Sequence, residues 1–212
     1  MNLFSNSLKY TAGMVILFVF LGLDAFAQDN AKVSRRAITL GAQNQKSIYG
    51  GFVDLKTGSV YNLSDVRPNH HTIDLIYAFG SSTGVNLMLP SSTGLNAFGA
   101  SYRAQVYNGW EQKNRGTLIA LEDNRENRRW FRAVKNNKQL LAAYDHALRS
   151  VNSRPGYTKT NHGPAARIRQ LNIGDYFALR SRDRNVYAIG RITDVKEGYQ
   201  GYVTLDMKII NQ

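Results

Sequence analysis

The stretch from Leu171 to Ile210 constrains the fold more than any other part of the chain. It reads as three consecutive strands, LNIGDYFALR, VYAIGRITDV and GYVTLDMKII, separated by the polar turns SRDRN and KEGYQ. In the last strand Val203, Leu205, Met207 and Ile209 alternate with Thr204, Asp206 and Lys208. A period of two puts the apolar set on one face of a sheet and the polar set on the other. An apolar sheet face needs a cover, and the helical segment upstream is the expected one.

That segment is residues 127 to 151. Leu140, Leu141, Tyr144, Ala147, Leu148 and Val151 follow helical spacing, and Trp130, Phe131 and Val134 make a shorter face before them. Asn136-Asn137 is placed to end one helix and cap the next, and Arg154-Pro155-Gly156 closes the region. Upstream lie further strand candidates. Ala37 to Leu40 is one. SIYGGFVDL and SVYNL flank Lys56-Thr57-Gly58 as a tight hairpin, with Gly50-Gly51 marking a bulge or a close backbone approach. TIDLIYAF, Val85 to Leu89 and Thr117 to Leu121 complete the set, while Tyr102 to Trp110 fits no period. Tyr157 to Arg169 reads as a basic loop. The fold class is therefore α+β. A mainly antiparallel β core, sandwich or partly open barrel, carries a helical pair inserted before the last three strands.

The start of the chain reads as a cleavable signal peptide, residues 1–27. Lys9 precedes the apolar run Ala12 to Leu23, and Ala25-Phe26-Ala27 offers small residues to a signal peptidase. No Cys follows, which excludes the lipoprotein route. Residues 28–36 read as a flexible leader and residues 37–212 as a single domain, secreted or periplasmic, with no transmembrane span after cleavage. Cysteine is absent, so packing rather than disulfides must hold the fold. The net charge of +12 survives cleavage, because the signal removes one Lys and one Asp. Export disfavours nucleic acid as the partner of such a basic chain; anionic envelope components or glycans are the expected partners.

Residue patterns that carry chemistry are sparse. Arg125, Arg128, Arg129, Arg132, Lys135 and Lys138 recur at spacings of three and four, which makes a cationic helix face able to hold carboxylate, sulfate or phosphate. Tyr102, Tyr107 and Trp110 cluster at a Gly-bearing turn, where exposed rings would stack on a flat ligand. His70, His71, His146 and His162 show no zinc spacing. Asp54 and Asp74 alternate with apolar neighbours and read as outward sheet positions. No Gly-x-Ser-x-Gly, phosphate loop or dinucleotide fingerprint is present, and no carboxylate pair has diagnostic spacing. The residues thus lean away from catalysis and imply no cofactor.

Two resemblances follow. GGFVDLKTGSVY, IDLIYAFG, WFRAVKNNKQLLAAYDHA and the terminal strands together resemble a group of exported, β-rich proteins of Gram-negative bacteria with no assigned activity. That resemblance implies a fold and a compartment. More weakly, the chain resembles the HmuY-type haem-binding proteins, through an early hairpin, through a terminal sheet in which a Tyr/Phe strand, a turn and a Gly-led last strand follow one another, and through His162-Gly163-Pro164-Ala165 just before that sheet. This second resemblance implies His162 as an axial haem ligand. The chain departs from that pattern where the second ligand is expected, since a helix bearing His146 stands there.

The expectation is an exported, non-catalytic binding or surface-associated module. Its candidate contacts are His162, Trp110, Tyr107, Arg128, Arg129 and Arg132. A haem carrier using His162 is the alternative, and an envelope-polymer hydrolase is the second alternative.

Overall fold

The computed structural model describes residues 30–43 and 49–210. The signal-peptide reading of residues 1–27 lies outside the described residues. In chain order the strands are β1 Ser34–Gly41, β2 Phe52–Val53, β3 Val60–Tyr61, β4 Leu75–Gly80, β5 Gly84–Met88, β6 Gly116–Leu121, β7 Arg167–Leu171, β8 Tyr176–Ser181, β9 Val186–Lys196 and β10 Tyr202–Ile209. Three helices matter to the argument: α1 Arg125–Ala133, α2 Asn137–Ser150 and the short α3 Lys159–His162.

The strands form two five-stranded antiparallel sheets, ordered β1-β10-β9-β8-β6 and β3-β2-β4-β5-β7. They stack face to face as an open sandwich. The apolar set of β10 lies in the layer between them, with Leu40, Leu75, Tyr77, Leu118 and Phe177. Its expected helical cover is thus corrected: the second sheet seals that face, and α1 and α2 seal the opposite face of the first sheet. There Phe131, Leu140 and Tyr144 pack on Ile119, Ala178 and Ile189. The outer face of the second sheet is covered in turn by irregular turns between residues 66 and 110, which place Leu95, Tyr102, Val106 and Trp110 on Phe52, Ile76 and Ala78. Because both sheets are covered on both faces, β4 and β8 read as near-continuous apolar runs.

Single backbone bridges join the sheets at two corners. At one, the Gly41 amide of β1 donates to the Gly50 carbonyl at 3.0 Å, while the adjoining Gly51 carbonyl continues the second sheet by accepting from the Tyr77 amide at 2.9 Å. A Cβ on Gly50 would lie 2.0 Å from the Tyr61 oxygen, which explains the glycine pair as a close backbone approach. At the other corner Leu118 pairs with Ala165, and the Leu89 amide donates to the Ala166 carbonyl at 2.9 Å.

Helix boundaries follow from caps. Asn124 accepts from the Asn127 amide at 2.8 Å, and Asn136 accepts from the Gln139 amide at 2.9 Å. The C-terminus of α1 is capped from another element. Lys208 Nζ of β10 donates to the Phe131 and Val134 carbonyls at 2.5 and 2.7 Å and lies 4.8 Å from the Phe131 ring centroid. Lys208 is therefore buried beneath α1 rather than on a wet sheet face.

Three further expectations are revised. Residues 31–33, read as leader, bond to the α1–α2 connection, and β1 begins at Ser34. Residues 157–169 hold α3 and the start of β7 rather than a plain loop. Asp54 and Asp74 are buried, not outward. Arg184 Nη1, from the β8–β9 turn, donates to Asp54 Oδ1 at 2.8 Å, to Asp74 Oδ2 at 2.6 Å and to the Thr72 carbonyl. This contact latches the two sheets at the end where β4 begins. The other end of β4 is where the clefts open.

Candidate functional site at one end of the sandwich

The sequence-derived candidates scatter. Trp110 is 3 % exposed and packs on Phe52 and His70, so it belongs to the core. Tyr107 is half-buried, with Lys113 Nζ 5.3 Å above its ring and donating to its carbonyl. Arg128 is tied to Asp123 at 2.6 Å. Arg129 and Arg132 stand exposed with Arg125 around a shallow open recess. These residues do not converge. His162 alone lies at a cleft that other functional side chains share.

The ring of His162 is set locally. Thr158 caps α3 through its hydroxyl, and its amide donates to His162 Nδ1 at 3.0 Å. An acceptor Nδ1 places the neutral ring's proton on Nε2. Burial first, and then the Arg154 guanidinium, hold His162 below the usual imidazole range. The cleft that it borders measures about 480 Å³ and also presents Arg154, Asn161, Gln170, Asn172 and Glu197. No second histidine lines it. His146 instead stacks on Trp130, with ring centroids 4.2 Å apart, and its Nε2 lies 3.3 Å from Glu126. His162 thus offers one axial candidate, with its free nitrogen protonated. Arg154 is the unusual member of this cleft. Its Nη1 is sealed from solvent and has no hydrogen-bond partner among the described residues.

A second cleft, of about 550 Å³, opens on the other side of the β4–β5 turn. Its floor and walls include Gly80 to Thr83, Arg167, Arg169, Phe79 and Tyr199. Neither arginine is paired with a carboxylate among the described residues. Burial, and then its neighbour Arg169, hold the half-buried Arg167 guanidinium below the usual arginine range. Arg169 Nε donates to Asn161 Oδ1 at 2.6 Å, which fixes its direction. Tyr199 is 47 % exposed and meets Phe79 edge to face at 6.3 Å. Two unpaired guanidiniums, an aromatic wall and the hydroxyls of Ser81, Ser82 and Thr83 therefore face one concave space.

The two clefts meet at a bulge. In the β5–β7 ladder Val85 pairs with Leu171 and Asn86 with Arg169, which leaves Gln170 unpaired. Gln170 holds φ at +58°, in the left-handed region, and its amide donates to the Thr83 carbonyl at 3.0 Å. The extra residue sends Arg169 to one cleft and Gln170 to the other. Asn161 Nδ2 reaches Gln170 Oε1 at 2.5 Å and ties the pair together. Sequence reasoning passed over Arg167, Arg169 and Tyr199, because each lies in a stretch that reads as loop and the aromatic and the arginines are thirty residues apart.

Among the described residues no helix is long and apolar enough to cross a membrane. Likewise, no three His, Asp or Glu side chains among them group as a metal site. No protein-family model and no curated protein matches the chain. Among solved structures, the crystal structure of a DUF4466 family protein from Parabacteroides merdae, a Gram-negative bacterium, is similar at a TM-score of 0.52 and 15% identity. The match covers 86% of this chain and 55% of that one, so the chain spans a little over half the length of its structural relative. At that identity the likeness speaks for the fold. It agrees with the first of the two resemblances in architecture, and nothing in the comparisons favours the haem-protein resemblance.

Proposed function

We propose that the chain is a non-catalytic binding module for an acidic carbohydrate, with its site in the Arg167–Arg169 cleft. The observation that carries this reading is the pair of guanidiniums left without carboxylates in a concave space. A half-buried cation with no counter-charge favours an incoming carboxylate or sulfate, because the ligand then supplies the charge-assisted hydrogen bonds that the protein lacks. Tyr199 gives a sugar ring an apolar face to rest on, and the serine and threonine hydroxyls both donate and accept, as sugar hydroxyls do. The net charge of +12 assists encounter with an acidic polymer. The expected export of the chain suits a ligand of the cell envelope or its surroundings.

Calorimetric titration with galacturonate oligomers, sulfated oligosaccharides and a neutral oligosaccharide tests this reading. Acidic sugars should bind, the neutral one should not, and affinity should fall as salt rises. Carboxylated against sulfated probes identifies the acid group. Arg167→Gln should weaken binding about 10- to 100-fold, the span expected for a hydrogen bond to a charged group, and Tyr199→Ala should weaken it without changing the salt slope. Equal affinity for single-stranded DNA of the same charge, or an unaltered affinity in Arg167→Gln, would overturn the assignment.

A further inference from the structure

We infer that the binding surface continues past the β4–β5 turn into the Arg154–His162 cleft, and that the ligand is a chain of at least two acidic sugars spanning both. This inference rests on the reading of the Arg167–Arg169 cleft as an acid-binding site. Three elements each furnish a wall to both spaces. The β4–β5 turn gives Gly80 to Thr83 to one and Gly84 and Val85 to the other. From β7, Arg167 and Arg169 face one cleft, and Gln170 and Leu171 face the other. The β9–β10 connection gives Tyr199 to one and Glu197 to the other. Consecutive residues of the β4–β5 turn and of β7 thus line the two spaces, which are neighbours along one edge of the sheet.

The second cleft has the matching chemistry. Arg154 borders it with a guanidinium that pairs with no carboxylate among the described residues, and since its Nη1 is sealed from solvent, its remaining N–H groups are the ones that would meet a ligand. Asp175 lies near enough for Arg154 to pull its carboxyl downward, against the larger upward effect of burial. His162 adds an Nε2–H donor in its neutral tautomer, and Asn172 adds an exposed amide. Among the described residues Glu197 is the one carboxylate lining it, and it would accept from sugar hydroxyls. The Gln170 bulge is the device that makes this arrangement. A regular ladder would alternate consecutive side chains across the sheet, whereas the extra residue turns two neighbours toward adjacent clefts on one edge. A left-handed non-glycine residue held at such a point is the kind of strain that gathers at binding sites.

The experiment compares galacturonic acid with its oligomers of two to six units, by calorimetry on the full chain. With both clefts engaged, the second contact is intramolecular, so affinity should rise at least tenfold from monomer to tetramer. Arg154→Gln should remove that rise. Asn172→Glu, at an exposed position that does not endanger folding, should do the same by placing a carboxylate in the second cleft. Monomer and tetramer binding alike, or a rise that survives in both variants, would overturn the inference and leave the first cleft standing. If the unaltered chain bound no acidic sugar of any length, the reading of the first cleft would fall, and this one with it.

Discussion

Two buried charges, Asp74 and Lys208, show how much of this fold rests on partners distant in sequence. Burial pushes the Asp74 carboxyl up, while Ser181 and Arg184 pull it back down. Arg184 serves Asp54 and Asp74 together, so its loss strands two carboxylates. Arg184→Met should cost about 3–5 kcal/mol, the range for breaking a buried pair from one side, read from urea unfolding. Lys208 is held down to about 8 from 10.5, first by burial, then by Lys135 and Arg35. Between about pH 8 and 10.5 the unfolded chain keeps a proton that the fold has released. Stability therefore rises with pH across that window, and below about 8 both states are charged and the slope vanishes. Lys208→Met should flatten the rise in a series of urea melts from pH 7.5 to 10.5. The alternation of β10 places Lys208 correctly on the face opposite Met207, but it gives no sign that α1 covers that face. Asp54 and Asp74 misled for the same reason: strand period reports a face, and Arg184 lies 110 residues away from Asp74.

At the scale of elements, periodicity and caps were the readable signals. Asn136 stands where one helix ends and the next begins, and its carbonyl oxygen satisfies the Gln139 amide. Asn136→Ala should cost about 1 kcal/mol in thermal or urea melts, with no change in ligand affinity. The segment Arg167–Leu171 was harder to read, because Arg-Ile-Arg-Gln-Leu shows little apolar character when two of its side chains line a cleft. The bulge within it has a consequence of its own. Gln170→Gly relieves the left-handed strain and should stabilise the fold by up to about 1 kcal/mol. The same change removes the acceptor that holds Asn161, and through it Arg169, so acidic-sugar binding should weaken while the melting temperature rises. A drop in both would show that the Gln170 side chain, and not its backbone, dominates stability.

At the scale of the molecule, the division into an end that is latched and an end that is open sets where function can reside. Arg184 closes the end where β4 starts; the two clefts occupy the end where it finishes. None of this was visible in sequence beyond the β-rich α+β class itself, since each cleft is built from turns that are unremarkable alone. The two tryptophans report on opposite sides of the sandwich, Trp110 outside the second sheet and Trp130 beneath the helices of the first. With a shared middle layer and two stitched corners, the sheets should unfold together. Urea transitions of Trp110→Phe and Trp130→Phe, each read by the remaining tryptophan and by circular dichroism, should show fluorescence and dichroism coinciding within each variant; separate midpoints would mean that the sheets open independently. Pairing between β1 and β10 carries a timing consequence. Among the described residues the earliest strand pairs with the latest alone, Ser34 opposite Ile209, so a growing chain must hold β1 and the edge of β9 bare until residues 202–209 have emerged. Such exposed edges recruit foreign strands. Ribosome-bound chains halted before Tyr202 should accordingly be protease-sensitive and chaperone-dependent, and release of the final segment should convert them at once to the resistant form.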